Sequence, residues 1–255
     1  MSFRLAHDVS GHTAKEDSKI TMKYLEYKVA QGDMQPCSAC AEAKARQKHL
    51  PTRILSRQVI RMKVPIPSEV NEKVNLDIST IKAPKGVNVT VTRPQWIIIT
   101  DQRTQMKFSN FYQKKSDILE HTCELFKRWK QKGYPVRTVR CDNAGENIVL
   151  EKRSSSAIRQ LNINFEYTAQ DTPQENNYVE VGFATIIKRG NAMMIAANLP
   201  LEKRYVFFRE AIQTATLLDG LVVTIIEGIS LTRVDHWGGS LPRWVSYLRR
   251  EAKLE

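Results

Sequence analysis

Three carboxylates occupy positions where an ordinary surface acid is out of place. Asp77 interrupts the apolar alternation of "KVNLDIST" (73–80), Asp142 closes "VRTVRCD" (136–142), and Glu180 lies in "NNYVEVGF" between small and core-like residues. A carboxylate among apolar neighbours is costly unless a cation meets it. Clustered oxygen ligands suit Mg²⁺ or Mn²⁺. Two such ions about 4 Å apart activate a water or a 3′-hydroxyl and stabilise the leaving oxygen in phosphoryl transfer. Taken singly, each acid reads as a surface charge or a cap, and Asp142 alone would cap the helix after it. Three of them on three different elements point instead to a metal-dependent site.

A second constellation lies near the N-terminus. His7 and His12 are separated by four residues, and Cys37 and Cys40 follow after a further 24. A Cys-x-x-Cys knuckle offers two thiolates to one Zn²⁺, and two histidines complete a tetrahedron. A redox dithiol is the other reading of Cys-x-x-Cys. The segment lacks the strand–helix setting of such a site, so zinc is the expectation. Cys123 and Cys141 stand alone, and four cysteines so spaced make no disulfide scaffold, which fits a reducing intracellular compartment. His49 and His121 read as ordinary surface or helix residues, and His236 belongs to no motif.

The elements that must position these groups follow from periodicity. "ITMKYLEYKVA" (20–30) has helical spacing, but the first forty residues bury too little apolar surface to fold without a staple such as a metal. In 73–80, Val74, Leu76 and Ile78 share one face and Asp77 takes the other. Segments 87–101 and 105–114 read as two further strands joined near Gln102-Arg103. Residues 116–133 place Ile118, Leu119, Thr122, Leu125, Phe126 and Trp129 at helical spacing, with Ser116 as N-cap and Gly133 as stop. Residues 136–142 and 163–169 read as a fourth and fifth strand, with a helix after "NAGE" between them. Residues 172–199 read as one long helix with Pro173 in its first turn. Residues 200–222 read as another, with Phe207, Phe208, Ala211, Ile212 and Ala215 as its packing face. Three strands in a meander, followed by alternating helices and strands, give an α/β fold whose mixed sheet is covered by helices.

Charge narrows the partner. The chain carries 39 Lys and Arg against 27 Asp and Glu, a formal net charge of +12. Such an excess points to a polyanion, nucleic acid ahead of a membrane surface, although basic charge also serves solubility alone. Between Ala41 and Val70, Lys44, Arg46, Lys48, Arg53, Arg57, Arg61 and Lys63 face only Glu42 and Glu69. This stretch reads as a phosphate-tracking strip or as a solvated connector, and the prolines of "VPIPSEV" mark it as a linker. Lys188 and Arg189, two turns beyond Glu180, would either lie on DNA phosphate or face solvent. Base-specific reading is not expected. No run approaches the roughly 18 apolar residues of a spanning helix. The start, "MSFRLAHDVSGH", has no apolar signal-peptide core, so an intracellular protein without a membrane partner is expected.

"NLDIST", "RCDNAGE" and "TPQENNYVEVGFATI" together resemble the motifs of integrases from copia-type LTR retrotransposons. That family shares the RNase H-like catalytic core of retroviral integrases. Its second motif is usually Asp-Asn-Gly-Gly-Glu, and its third is a Thr-Pro-Gln-Gln-Asn helix carrying the final glutamate. On this resemblance Asp77, Asp142 and Glu180 are the D-D-E triad, with 37 residues between the last two. The departures are Ala144 for the first glycine, Glu175 for the second glutamine, and Asn177 and Tyr178 where small residues are common. Glu146 and Glu175 are neighbouring acids that compete for the assignment.

The resemblance runs from His7 to about Leu248 and implies a complete architecture. A His-His-Cys-Cys zinc-binding domain (1–45) and a basic linker (46–71) would precede an RNase H-like core (72–200) with a mixed five-stranded sheet and flanking helices. A helical extension (201–255) would follow, in which Trp237, Trp244 and Tyr247 either stack on a partner or pack. The family implies Mg²⁺ or Mn²⁺ at the triad, Zn²⁺ at His7, His12, Cys37 and Cys40, and DNA along Lys44, Arg46, Lys48, Arg53, Arg57, Lys188 and Arg189. It also implies a homo-oligomer acting on element ends and target duplex, in the nucleus or a retrotransposon particle. The activity would be 3′-end processing and strand transfer. A catalytically inactive or domesticated DNA-binding remnant is the alternative. An RNase H-like nuclease without transposition is a further one that leaves the zinc-like N-terminus unexplained.

Overall fold

The computed structural model describes residues 1–30, 35–44, 66–82, 93–143, 145–153, 161–168 and 177–238. Three short helices come first: α1 (Phe3–Val9), α2 (Lys15–Tyr24) and α3 (Ser38–Lys44). Then follow β1 (Lys73–Thr80), β2 (Gln95–Asp101), β3 (Lys107–Tyr112), α4 (Lys115–Gln131), β4 (Thr138–Asp142), α5 (Gly145–Arg153), β5 (Asn164–Thr168) and α6 (Asn177–Ala196). The chain continues through α7 (Leu201–Val206), α8 (Phe208–Gly220), a hairpin of β6 (Val223–Ile226) and β7 (Ile229–Thr232), and α9 (Arg233–His236).

The five core strands form one mixed sheet in the order β3-β2-β1-β4-β5. β1, β2 and β3 are antiparallel neighbours, whereas β4 and β5 run parallel to β1. Because successive strand residues alternate faces, the sheet separates two cores. On one face Val74, Leu76, Ile97, Ile99, Val139 and Cys141 pack under Ile118, Phe126 and Trp129 of α4. On the other, Trp96, Ile98 and Phe111 meet Val179 and Ile186 of α6 and Phe208, Ile212 and Ala215 of α8. The covering helices are therefore amphipathic, each facing this sheet on one side only, whereas β2 is buried on both faces.

Several boundaries differ from the periodicity, each for a local reason. The N-cap of α4 is Lys114, without a side-chain hydrogen bond, while Ser116 lies inside the first turn and donates to Asp117. Gly133 does end the segment, at φ +87°. Residues 200–222 form two helices, because Phe207 at φ −93°, ψ 7° breaks the run between α7 and α8. Phe207 is 47% exposed, so the packing face starts at Phe208 instead. The β6–β7 hairpin was not anticipated from the sequence. Its turn, Glu227-Gly228, takes positive φ at both residues, the backbone that two-residue hairpins need. Trp237 packs rather than projecting: it sits against Phe108, Trp129 and Tyr134, and its indole donates to Asn71 Oδ1 at 2.9 Å. Residues 87–92, 172–176 with Pro173, the strip 46–65, Trp244 and Tyr247 lie outside the described residues.

Candidate functional site

β1 and β4 pair in parallel at Lys73↔Thr138, Val74↔Val139 and Asn75↔Arg140. Asp77 and Asp142 stand two residues further along their strands, so both take the face opposite Val74 and Leu76. That is the face α6 covers. α6 lies close because Gly182 presents no side chain; a Cβ there would stand 3.4 Å from Ile98 Cδ1 and from Thr100 Oγ1. Glu180 follows the fully buried Val179 in the first turn of α6 and is exposed.

The three acids share one electrostatic environment. Burial pushes the Asp77 carboxyl up to about 6, the negative charges of Asp142 and Glu180 add to that, and the Ile78 amide, 2.7 Å away, opposes it. A bound cation would stabilise the ionised form of such a group, its proton passing to solvent. Asn147, buried in α5, donates its amide to Asp142 Oδ1 at 2.5 Å and to the Asp142 carbonyl at 3.2 Å. This contact escaped the sequence reading. Its only signal was an amide residue in the first turn of the helix that follows Asp142.

His7, His12, Cys37 and Cys40 are all buried, and their ligand atoms lie within 4.8 Å of one another. Among the described residues no other set of three or more His, Cys, Asp or Glu side chains meets that condition. His7 Nε2 is 3.2 Å from His12 Nδ1 and 3.3 Å from Cys40 Sγ; His12 Nδ1 is 3.5 Å from Cys37 Sγ and 3.6 Å from Cys40 Sγ. A tetrahedron built on Zn–N near 2.0–2.1 Å and Zn–S near 2.3 Å has edges of roughly 3.3 Å between nitrogens and roughly 3.6 Å between nitrogen and sulfur. The donor set therefore fits zinc in type, number and spacing. His7 Nδ1 donates to the Thr13 carbonyl at 2.9 Å, which leaves the Nε2 lone pair facing the cluster. Burial and then the neighbouring His7 lower the pKa of His12, which favours the neutral imidazole a metal requires.

The basic residues divide differently from expectation. Arg189 is only 6% exposed and bonds to Asp219 and to the Ser10 and Gly11 carbonyls, so it is not available to DNA. Helical periodicity could not reveal this, because the partner segment lies 178 residues away. Lys188 is half-buried. Lys44 ends α3 with its side chain outside the described residues, as are Arg46, Lys48, Arg53, Arg57, Arg61 and Lys63. The Glu146 side chain and Glu175 also lie outside them. His121 bonds the Asp117 carbonyl within α4, and His236 bonds Thr224, both ordinary structural contacts.

A five-stranded mixed sheet in the order 3-2-1-4-5 with helices on both faces defines the RNase H-like fold class of integrase catalytic cores. Consistent with that class, the chain is similar in structure to a chain of the simian T-cell lymphotropic virus intasome in complex with PP2A regulatory subunit B56 gamma. The TM-score is 0.50 at 15% identity, over 70% of this chain and 58% of that one, so the match spans less than two thirds of the viral chain. The magnesium-bound HTLV-2 integrase catalytic core domain in its dimeric form matches with a TM-score of 0.43 at 15% identity, over 67% of this chain and 98% of that one. Neither a protein-family model nor a curated protein sequence matches the chain. Among the described residues, no helix is long and apolar enough to cross a membrane.

Proposed function

We propose that this chain is the integrase-type polynucleotidyl transferase of a copia-type LTR retrotransposon, carrying out metal-dependent 3′-end processing and strand transfer of DNA. The observation that carries this reading is the placement of Asp77 and Asp142 on two parallel strand ends beneath the helix that carries Glu180, where burial first, and then the charges of Asp142 and Glu180, raise the Asp77 carboxyl. Asp77 and Asp142 would hold one divalent ion, Mg²⁺ or Mn²⁺, and Glu180 would complete a second site. When bound, these ions supply Lewis-acid activation of a water or 3′-hydroxyl and neutralise charge on the leaving oxygen. Asn147 orients the Asp142 carboxylate, and the exposed Glu180 leaves the site open to an extended duplex. Lys188 and the basic stretch that includes Lys44, Arg46, Lys48, Arg53 and Arg57 track phosphates, without reading bases.

His7, His12, Cys37 and Cys40 bind Zn²⁺ as the staple of an N-terminal domain over 1–45, followed by a linker (46–71), the core (72–200) and an extension (201–255). The protein acts as a homo-oligomer on element ends and target duplex, in the nucleus or a retrotransposon particle. The test is a strand-transfer assay with a short duplex bearing element-end DNA, in Mg²⁺ or Mn²⁺, beside Asp142→Asn. Joining by the native protein and none by the variant is the expected result. If neither joins DNA while both bind it with the same salt dependence, the chain is a DNA-binding remnant instead.

A further inference from the structure

We infer that Arg189 is a latch that holds the His/Cys module on the catalytic core of the same chain, so that zinc binding and core stability are thermodynamically linked. α6 carries Glu180 in its first turn and Arg189 nine residues later. The Arg189 guanidinium donates from Nε to the Gly11 carbonyl at 2.9 Å, from Nη2 to the Ser10 carbonyl at 2.6 Å, and from Nη1 to Asp219 Oδ1 at 2.8 Å. Ser10 and Gly11 form the loop between His7 and His12. The Ser10 hydroxyl donates back to the His7 carbonyl at 3.1 Å. Gly11 has φ +72°, and a Cβ there would stand 2.7 Å from Leu218 Cδ1 and 3.3 Å from Arg189 Nη2, so the loop is seated without slack.

The cysteine half of the cluster rests on the same helix. Cys37, Ala39 and Cys40 pack with Ala192 and Ile195 of α6. Two further bonds hold α2 to the C-terminal hairpin region: the Val223 amide donates to Thr21 Oγ1 at 3.2 Å, and Tyr24 donates to Asp235 at 2.9 Å.

The energetic argument follows from the donor count. Arg189 shares Asp219 with Lys107 and Arg233, so three cations surround one buried carboxylate. The two carbonyls of the loop supply the remaining negative ends. Were the loop to leave, Arg189 would lose two of these three acceptors and the two carbonyls would lose a charged donor, and hydrogen bonds to charged groups contribute more than neutral ones. The latch therefore favours the loop conformation that brings His7 and His12 together, and zinc favours the same conformation. Linkage requires each to strengthen the other by one common factor. This holds whether or not the carboxylates perform chemistry.

The test uses the full chain, native, Arg189→Lys, Arg189→Gln and Cys40→Ser. Zinc affinity is read by competition with a chromophoric chelator, and core unfolding in urea by tryptophan fluorescence. Arg189→Lys is expected to weaken zinc binding about tenfold, within the usual range of site-to-site couplings. Zinc should raise the core unfolding midpoint of the native protein, and raise it by clearly less in Arg189→Lys. Cys40→Ser should lower the native midpoint in zinc-containing buffer. Equal zinc affinity in the native protein and the folded position-189 variants overturns the latch, as does a native core whose midpoint ignores both zinc removal and Cys40→Ser. Should one position-189 variant not fold, the other carries the comparison.

Discussion

Asp219→Asn removes one negative charge from a pocket that holds three positive ones. The Asp219 carboxylate is 2% exposed, accepts from Lys107 Nζ and Arg189 Nη1 at 2.8 Å each, and also accepts from Arg233 Nη1. Burial alone would raise this carboxyl, but Arg233, Lys107 and Arg189 together hold it well below the usual carboxylate range. Asparagine keeps the shape and discards the charge, leaving the cations facing one another. Breaking a buried ion pair by removing one partner costs about 3–5 kcal/mol. In a chain of this size that lowers Tm by on the order of 10 °C. The pH dependence has a definite sign. A carboxyl whose folded pKa lies below the unfolded value of about 3.9 stabilises fully above that pH, and its contribution is lost as pH falls towards the folded value. Asparagine has no such titration, so the gap between native and variant should be full at neutral pH and narrow below about pH 4. Urea unfolding at several pH values, followed by tryptophan fluorescence, measures both. A neutral-pH loss under about 1 kcal/mol, against the size expected for a buried pair, or a gap that widens in acid, would refute the reasoning.

Asp77→Asn should act in opposite directions on stability and chemistry. With its carboxyl pushed up to about 6 by burial and by Asp142 and Glu180, the ionised native group is a burden on the metal-free fold. At neutral pH in chelator the variant should gain on the order of 2–3 kcal/mol, and it should lose any stabilisation by Mg²⁺ in thermal-shift measurements; a destabilised apo variant contradicts this. Trp237→Ala should cost about 3–5 kcal/mol by equilibrium unfolding. It empties the space between Phe108, Trp129 and Tyr134 and deprives Asn71 of its indole donor, so a near-neutral result would mean that the tryptophan does not hold the C-terminal segment to the sheet.

The parts of this fold legible in the sequence are those that obey a short period. Residues 73–80 declare both their strand and the side of Asp77, because one face of that strand is buried beneath α4 and the other turns towards α6. The α4 stripe of Ile118, Phe126 and Trp129 is equally plain. The His/Cys spacing foretold a cluster that closes in space. Periodicity fails where the deciding contact is remote. Arg189 reads as a solvent-side charge until the Ser10–Gly11 loop is seen upon it, and Asp219 reads as a helix-end acid until Lys107 and Arg233 converge on it. The break at Phe207 escaped because neither glycine nor proline marks it. The β6–β7 hairpin was in principle readable, since Glu227-Gly228 separates two β-branched runs.

The register between β1 and β4 makes the acidic site an all-or-none device. Only three pairs, ending at Asn75↔Arg140, set the alignment of the two strands before Asp77 and Asp142 are reached. A slip of one residue would carry Asp77 to the α4 face, among Val139 and Cys141, and put an aliphatic side chain beside Asp142 in its place. No halfway placement exists, because adjacent residues take opposite sides. A gained or lost residue within β1 should therefore separate Asp77 from Asp142 more completely than a substitution at an exposed position of the sheet, and sequences that keep the two acids together should vary here in residue type but not in length.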